Sequence, residues 1–158
     1  MRTSAIRPPA VGESAPDFSL PSTSGKSVTL SQYRGDRPVL LAFFPLAFSG
    51  TCTRQMCEIT DEFPRFDQTR VVVHPISVDS TYALTEYKTK YEMPFDLLSD
   101  FHREVACAYG VYWAHKGYAN RSYFLIDTMG VVRWVHIEEH PGHSRNNAEL
   151  LERLADLS

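Results

Sequence analysis

Several kinds of segment are scarce or missing in this chain. No run of about 18 apolar residues occurs, so no membrane-spanning helix is expected. The first residues, MRTSAIRPPAVGESAPDF, contain no apolar stretch of the length a secretory signal needs, so no leader is expected. Net charge is only −3, which gives no reason to expect a nucleic-acid or anionic-membrane partner. Cysteine is rare, and its count of three is odd, so the cysteines cannot all pair within one chain. Together these favour functional thiols in a reducing compartment, the cytoplasm, over a disulfide scaffold. There is no internal repeat, low-complexity tract or linker, so the 158 residues are expected to form one domain. Residues 1–10, with two prolines and few apolar groups, are expected to be a loose N-terminal arm.

What is present alternates between strand and helix signals. Residues 15–20 and 26–30 read as a hairpin around a turn at 22–25, and 31–35 as one helical turn stopped by glycine. The run PVLLAFF at 38–44 is apolar throughout, as a strand buried on both faces would be. Pro45 ends it, having no N–H to donate. A helix is expected from 51 or 52 to about 66, since Met56, Ile59 and Phe63 recur at helical spacing. A strand at 71–78, a helix at 81–91, a short strand at 95–98 and a helix at 104–109 follow. Two strands at 122–127 and 131–136 flank a turn, and a helix at about 146–157 closes the pattern. This is an α/β pattern, helices packed on a sheet, but it selects no particular strand order.

The chemistry concentrates in FFPLAFSGTCTRQMCEI, residues 43–59. Cys52 falls at the opening turn of the expected helix, directly after the buried strand. Helix-start N–H groups lack internal partners, and the dipole there favours negative charge. That suits a nucleophile, because the thiolate, not the thiol, attacks electrophiles. By itself a cysteine before a helix is more often a small buried apolar residue.

The pattern Pro45-x-x-x-Ser49-x-x-Cys52 resembles the active-site signature of the peroxiredoxins. Similar stretches run along most of the chain in the right order: VGESAPDFSLPSTSGKSVTLSQYRG, VLLAFFPLAFSGTC, ISVDS, FDLLSD, ACAYGVY and ANRSYFLIDTMGVVRWVH. The resemblance implies a thioredoxin-like fold with an N-terminal β-hairpin extension and a central mixed sheet flanked by helices. It implies a thiol peroxidase that reduces hydrogen peroxide or organic hydroperoxides through a Cys52 sulfenic acid. No metal, haem or flavin is implied. Arg121, in ANRS, matches the arginine that holds the thiolate and the peroxide oxygens. Ser49 stands where the family more often has threonine, keeping the hydroxyl that would orient the peroxide. Pro45 would shield the sulfur from water. Each has a plainer alternative: Arg121 a surface residue at a strand start, Ser49 only a helix cap, Pro45 only a strand terminator.

Cys57 would resolve the sulfenic acid if the chain follows the bacterioferritin comigratory protein, or Q-type, group, which shares Cys-x4-Cys and the glutamine at Gln55. On an ideal helix, residues five apart lie about 8–9 Å from each other at Cα, with the side chains diverging. A disulfide tolerates only about 7 Å, so this route requires the first turns to unwind. Thioredoxin, or another thiol reductant, would reopen the bond. FFPLAFSG and ANR instead resemble the one-cysteine alkyl hydroperoxide reductase E group of actinobacteria, where an external thiol resolves and Cys57 would be structural. A peroxide sensor or chaperone-like module switched by Cys52 oxidation is a reading from another class. Cys107 is expected to pack in the core, with resolving Cys52 or bridging subunits as lesser roles. His136, His140 and His143 cluster, but without the spacing of metal ligands, and solvated or structural roles are expected. The lack of Cys-x2-Cys argues against a thioredoxin-type disulfide reductase. A monomer and a homodimer both remain open.

Overall fold

The computed structural model describes residues 7–140 and 142–157. Strands β1 (Ser19–Pro21) and β2 (Ser27–Thr29) form the expected N-terminal hairpin, and a single 3-10 turn, Leu30–Tyr33, leads from it. β3 (Val39–Phe43) follows, then α1 (Gly50–Asp61), α2 (Phe63–Asp67), β4 (Val72–Ser77), α3 (Thr81–Tyr91), β5 (Leu98–Ser99) and α4 (Glu104–Ala108). A second small hairpin, β6 (Tyr112–Trp113) with β7 (Tyr118–Ala119), precedes β8 (Ser122–Ile126), β9 (Val132–Ile137) and α5 (Asn147–Ala155). The central sheet has the order β5-β4-β3-β8-β9. β4 runs parallel to β3 and β5, whereas β8 is antiparallel to β3 and β9, so the sheet is mixed as expected.

The all-apolar sequence of β3 is explained by its central place. Val39, Leu41 and Phe43 face a core closed by the β1–β2 hairpin and α4, through Leu20, Val28, Val105 and Ala106. Leu40, Ala42 and Phe44 face the other core, closed by α1, α3 and α5 through Met56, Ile59, Leu84, Tyr87, Leu150 and Leu154. A strand covered on both faces has no polar side to alternate with.

Two expected bounds need correction, and one element is additional. The helix expected to reach residue 66 stops at Asp61, and α2 begins anew with Pro64 in its first turn. Proline lacks the N–H a continuing helix would need and clashes with the carbonyl four residues back. The strand expected at 95–98 is shifted to Leu98–Ser99. Ahead of it, Leu97 exchanges bonds with Thr23, and the Asp96 carboxylate takes Lys88 and Thr23. The β6–β7 hairpin was not expected. Its strands are two residues each, too short for a period, and its turn closes on Gly117 at φ +81°. Of the loose arm expected over 1–10, residues 1–6 lie outside the described residues. Arg7 is held by a two-bond ion pair to Glu13.

β4 also carries a buried titratable group, His74. Its Nδ1 lies 2.9 Å from the Asp96 carbonyl and its Nε2 lies 2.8 Å from the Tyr33 hydroxyl. A carbonyl only accepts, so Nδ1 bears the proton and Nε2 accepts from Tyr33. Burial pushes the His74 imidazole below its ordinary value of 6.5, against the raising effect of Asp96 and with a lowering one from Arg37. The unfolded chain therefore binds this proton more readily than the folded one. The stability His74 contributes is full above the ordinary histidine value and is lost as pH falls below it. Thermal unfolding followed between pH 7 and 5 should show a steeper loss for the wild type than for His74→Gln, which keeps one donor and one acceptor. Equal slopes would remove His74 as the cause.

Candidate active site

The sheet register brings the site together. β8 is antiparallel to β3 with Ser122 opposite Phe43, so the residue before β8 lies beside the loop that leaves β3. The residue before β8 is Arg121, and the loop leaving β3 runs from Pro45 into α1. Cys52 is the third residue of α1, on the same helix face as Gln55, Met56 and Ile59. That face packs against the sheet, and Cys52 is fully buried.

Arg121 is 1% exposed, which removes the surface alternative. Its Nη2 donates to Cys52 Sγ at 2.9 Å and its Nη1 to Gln55 Oε1 at 3.0 Å. A guanidinium only donates, so the Gln55 amide is turned with its oxygen toward Arg121 and its nitrogen toward Tyr123, whose hydroxyl accepts from it. The Tyr123 hydroxyl also accepts the Arg145 backbone N–H at 3.0 Å. Burial pushes the Tyr123 hydroxyl up to about 12, so it stays neutral at ordinary pH. Sulfur thus has a fixed positive donor in Arg121 and lies in the first turn of α1.

The loop before Cys52 is pinned at several points. Phe44 donates the last ladder bond to Ile76, and buried Pro45 ends the run. The Ala47 N–H donates to Asp79 Oδ2 at 2.8 Å, and the Ser77 hydroxyl donates to the same oxygen. Phe48 takes φ +68°, a left-handed conformation costing a non-glycine residue roughly 1–2 kcal/mol. Its ring meets Tyr87 at a centroid distance of 4.8 Å. The Tyr87 hydroxyl pairs with Thr53 Oγ1 at 3.1 Å, tying α3 to the first turns of α1, and burial pushes that hydroxyl up to about 12. Ser49 occupies the N-cap position of α1 but makes no side-chain cap bond; its hydroxyl donates to the Leu46 carbonyl at 3.0 Å. Leu46, Phe48, Ser49 and Gly50 form the exposed part of the site.

The other two cysteines differ from Cys52. Both are unbridged. Cys57 lies half-buried on the flank of α1, where burial, with Asp61 and Glu58 adding, raises its thiol above the ordinary range. Cys107 is exposed, a correction of its expected place in the core. α4 has only five residues, and Val105 and Ala106 are the ones it buries. Of the histidines, His136 stacks on Trp134 and reaches Glu138, while His140 and His143 touch each other. No group of three metal-ligating side chains occurs among the described residues.

Tyr123, Tyr87, Asp79, Glu138 and Arg145 were not singled out from the sequence. The one available signal was Gln55, a polar residue inside the apolar stripe of α1. A polar side chain there must find a buried partner.

A helix-start cysteine paired with a buried arginine on this sheet places the molecule among the thiol peroxidases of thioredoxin-like fold, the peroxiredoxins. The model of the AhpC/TSA family matches residues 11–135, and the chain belongs to that family. It is 38% identical over 150 residues to alkyl hydroperoxide reductase E of Mycobacterium tuberculosis, covering 94% of this chain and 97% of that one. It is 36% identical over 137 residues to the putative peroxiredoxin bcp of Haemophilus influenzae, covering 82% and 87%. Among solved structures, peroxidoxin BcpB of Mycobacterium tuberculosis superposes with a TM-score of 0.83 at 28% identity, over 95% of this chain and 99% of that one. The reduced 2-Cys peroxiredoxin of Plasmodium vivax gives 0.86 at 26% identity, over 94% and 81%. The chain is a peroxidase enzyme that acts on hydroperoxides with a thiol reductant.

Proposed function

We propose that Cys52 is the residue that attacks the peroxide and that Cys57 resolves the product. The Cys52 thiolate attacks one peroxide oxygen and a S–O bond forms. The O–O bond breaks, and its electron pair leaves on the second oxygen, which takes a proton and departs as water or an alcohol. Cys52 is then a sulfenic acid. Arg121 donates toward the oxygens as charge develops on them, stabilising the transition state more than the bound substrate. The observation that carries this reading is the 2.9 Å contact from Arg121 Nη2 to Cys52 Sγ in a fully buried pair. Pro45 keeps water from the sulfur, and Ser49 turns its hydroxyl to the incoming peroxide. The name of the mycobacterial relative supports alkyl hydroperoxides among the substrates. The odd count of three cysteines supports a reducing compartment, the cytoplasm.

In the second step the Cys57 sulfur attacks the Cys52 sulfenic sulfur, a disulfide forms and water leaves. The intact α1 holds the two cysteines five residues apart, so its first turns must unwind. The far end of the helix is tied to α5, where Asn147 Nδ2 donates to the Glu58 carbonyl and to Glu62. Cys52 is therefore the partner that moves, releasing Arg121 and the Thr53–Tyr87 pair. Unwinding also relieves the burial that raises the Cys57 thiol. A dithiol such as thioredoxin then supplies two electrons to reopen the bond.

Mass analysis after one equivalent of peroxide tests this. Wild type should carry a Cys52–Cys57 disulfide, whereas Cys57→Ser should accumulate sulfenic and then sulfinic acid on Cys52. Turnover of Cys57→Ser with a small thiol at the wild-type rate would favour recycling by an external thiol, a reading supported by the unbroken helix that holds the two cysteines apart.

A further inference from the structure

We infer that Glu138 is a positioning residue for Arg121, gripping it through its main chain and through a chain of hydrogen-bonded side chains. The inference rests on the reading of Cys52 and Arg121 as the reacting pair. Glu138 follows directly on β9 and is 2% exposed. A carboxylate in that setting requires compensation, and it has it. Arg145 donates Nε–H to Oε2 at 2.8 Å and Nη2–H to Oε1 at 3.2 Å, a two-bond fork, and His136 Nε2 lies 3.2 Å from Oε1.

Two routes lead from Glu138 to the sulfur. By the main chain, the Glu138 N–H donates to the Arg121 carbonyl at 3.0 Å, and Asn120 Nδ2 donates to the Glu138 carbonyl at 2.7 Å. These bonds fix where the Arg121 side chain starts. By the side chains, the fork holds Arg145 so that its own backbone N–H lands on Tyr123 Oη, opposite the Gln55 amide. Gln55 Oε1 then takes Arg121 Nη1, which fixes the plane of the guanidinium while Nη2 reaches Cys52 Sγ. Arg145 itself is only partly covered, with 29% of its side chain exposed. Without the carboxylate its loop has solvent as an alternative partner. Tyr123 would lose one of its two donors, and the guanidinium plane its stop.

A donor that must meet two peroxide oxygens depends on orientation more than a simple substitution at sulfur does. That difference separates positioning from general loosening. Glu138→Gln keeps the shape and both main-chain bonds but removes the charge. It should lower the second-order rate constant for hydrogen peroxide about tenfold, while alkylation of Cys52 by iodoacetamide slows less than about threefold. Arg145→Gln should do the same, and it carries the test if Glu138→Gln fails to fold. Because both act through one fork, the double variant should be no more than about threefold slower than either single one. Peroxide rates within twofold of wild type in both single variants, effects that multiply in the double variant, or a parallel loss of alkylation would each overturn the inference. A wild-type protein that does not react with peroxide would instead overturn the peroxidase reading and take this inference with it.

Discussion

Arg121→Met lowers the rate constant of the peroxide reaction by about 10²–10³-fold, measured by stopped flow on the reduced protein. Methionine fills much of the same buried space with no charge and no donor. Cys52 Sγ loses the guanidinium that donates to it, and the leaving oxygen loses its donor. Both losses act on the chemical step, so raising the peroxide concentration does not rescue the variant. Fold stability should suffer far less. Burying a guanidinium carries a large desolvation cost that methionine does not, and the main loss is the partner of Gln55 Oε1. A variant that unfolds readily would show the arginine to be structural first. A variant that folds and reacts within threefold of wild type would remove Arg121 from the chemistry.

Cys52→Ser abolishes turnover altogether. The serine hydroxyl holds its proton at any pH the fold tolerates and is a poor nucleophile toward oxygen, so no sulfenic acid and no disulfide can form. The substitution is nearly isosteric and leaves an acceptor for Arg121 Nη2, so the cost in stability should be about 1 kcal/mol. Peroxide consumption with a dithiol reductant should fall to the rate seen without protein, while Cys57 and Cys107 remain in place. Residual turnover at even a tenth of the wild-type rate would mean that one of those two thiols attacks peroxide independently. The raised thiols of Cys57 and Cys107 argue that neither does.

What the sequence could carry was governed by distance along the chain. Pro45, Ser49, Cys52 and Cys57 lie within one strand–loop–helix passage, and their spacing was readable directly. Arg121 is remote from that passage and was legible through resemblance to a family; its meeting with Cys52 depends on the antiparallel register of β3 and β8. The network beyond Arg121 joins α1, β8, β9 and the segment before α5. No local pattern distinguishes Glu138 from its neighbour Glu139, although one is buried and the other exposed. The elements followed the same rule. β3 and α3 were clear because their patterns are long and consistent. β6, β7 and β5 are two residues each, too short for periodicity to appear. Cys107 was misplaced for a similar reason, since a five-residue helix has too little length to define a buried stripe.

The central claim is that Cys52, held by Arg121, is the first atom in this protein to meet a peroxide. Rapid quench of the reduced protein with one equivalent of hydrogen peroxide tests it most directly, with a sulfenic-acid trap and peptide mapping at successive times. The account predicts that the earliest adduct lies on Cys52 alone, and that Cys57 appears only later, in disulfide with it. An earliest adduct on Cys57 or Cys107, or equal labelling of all three, would contradict it.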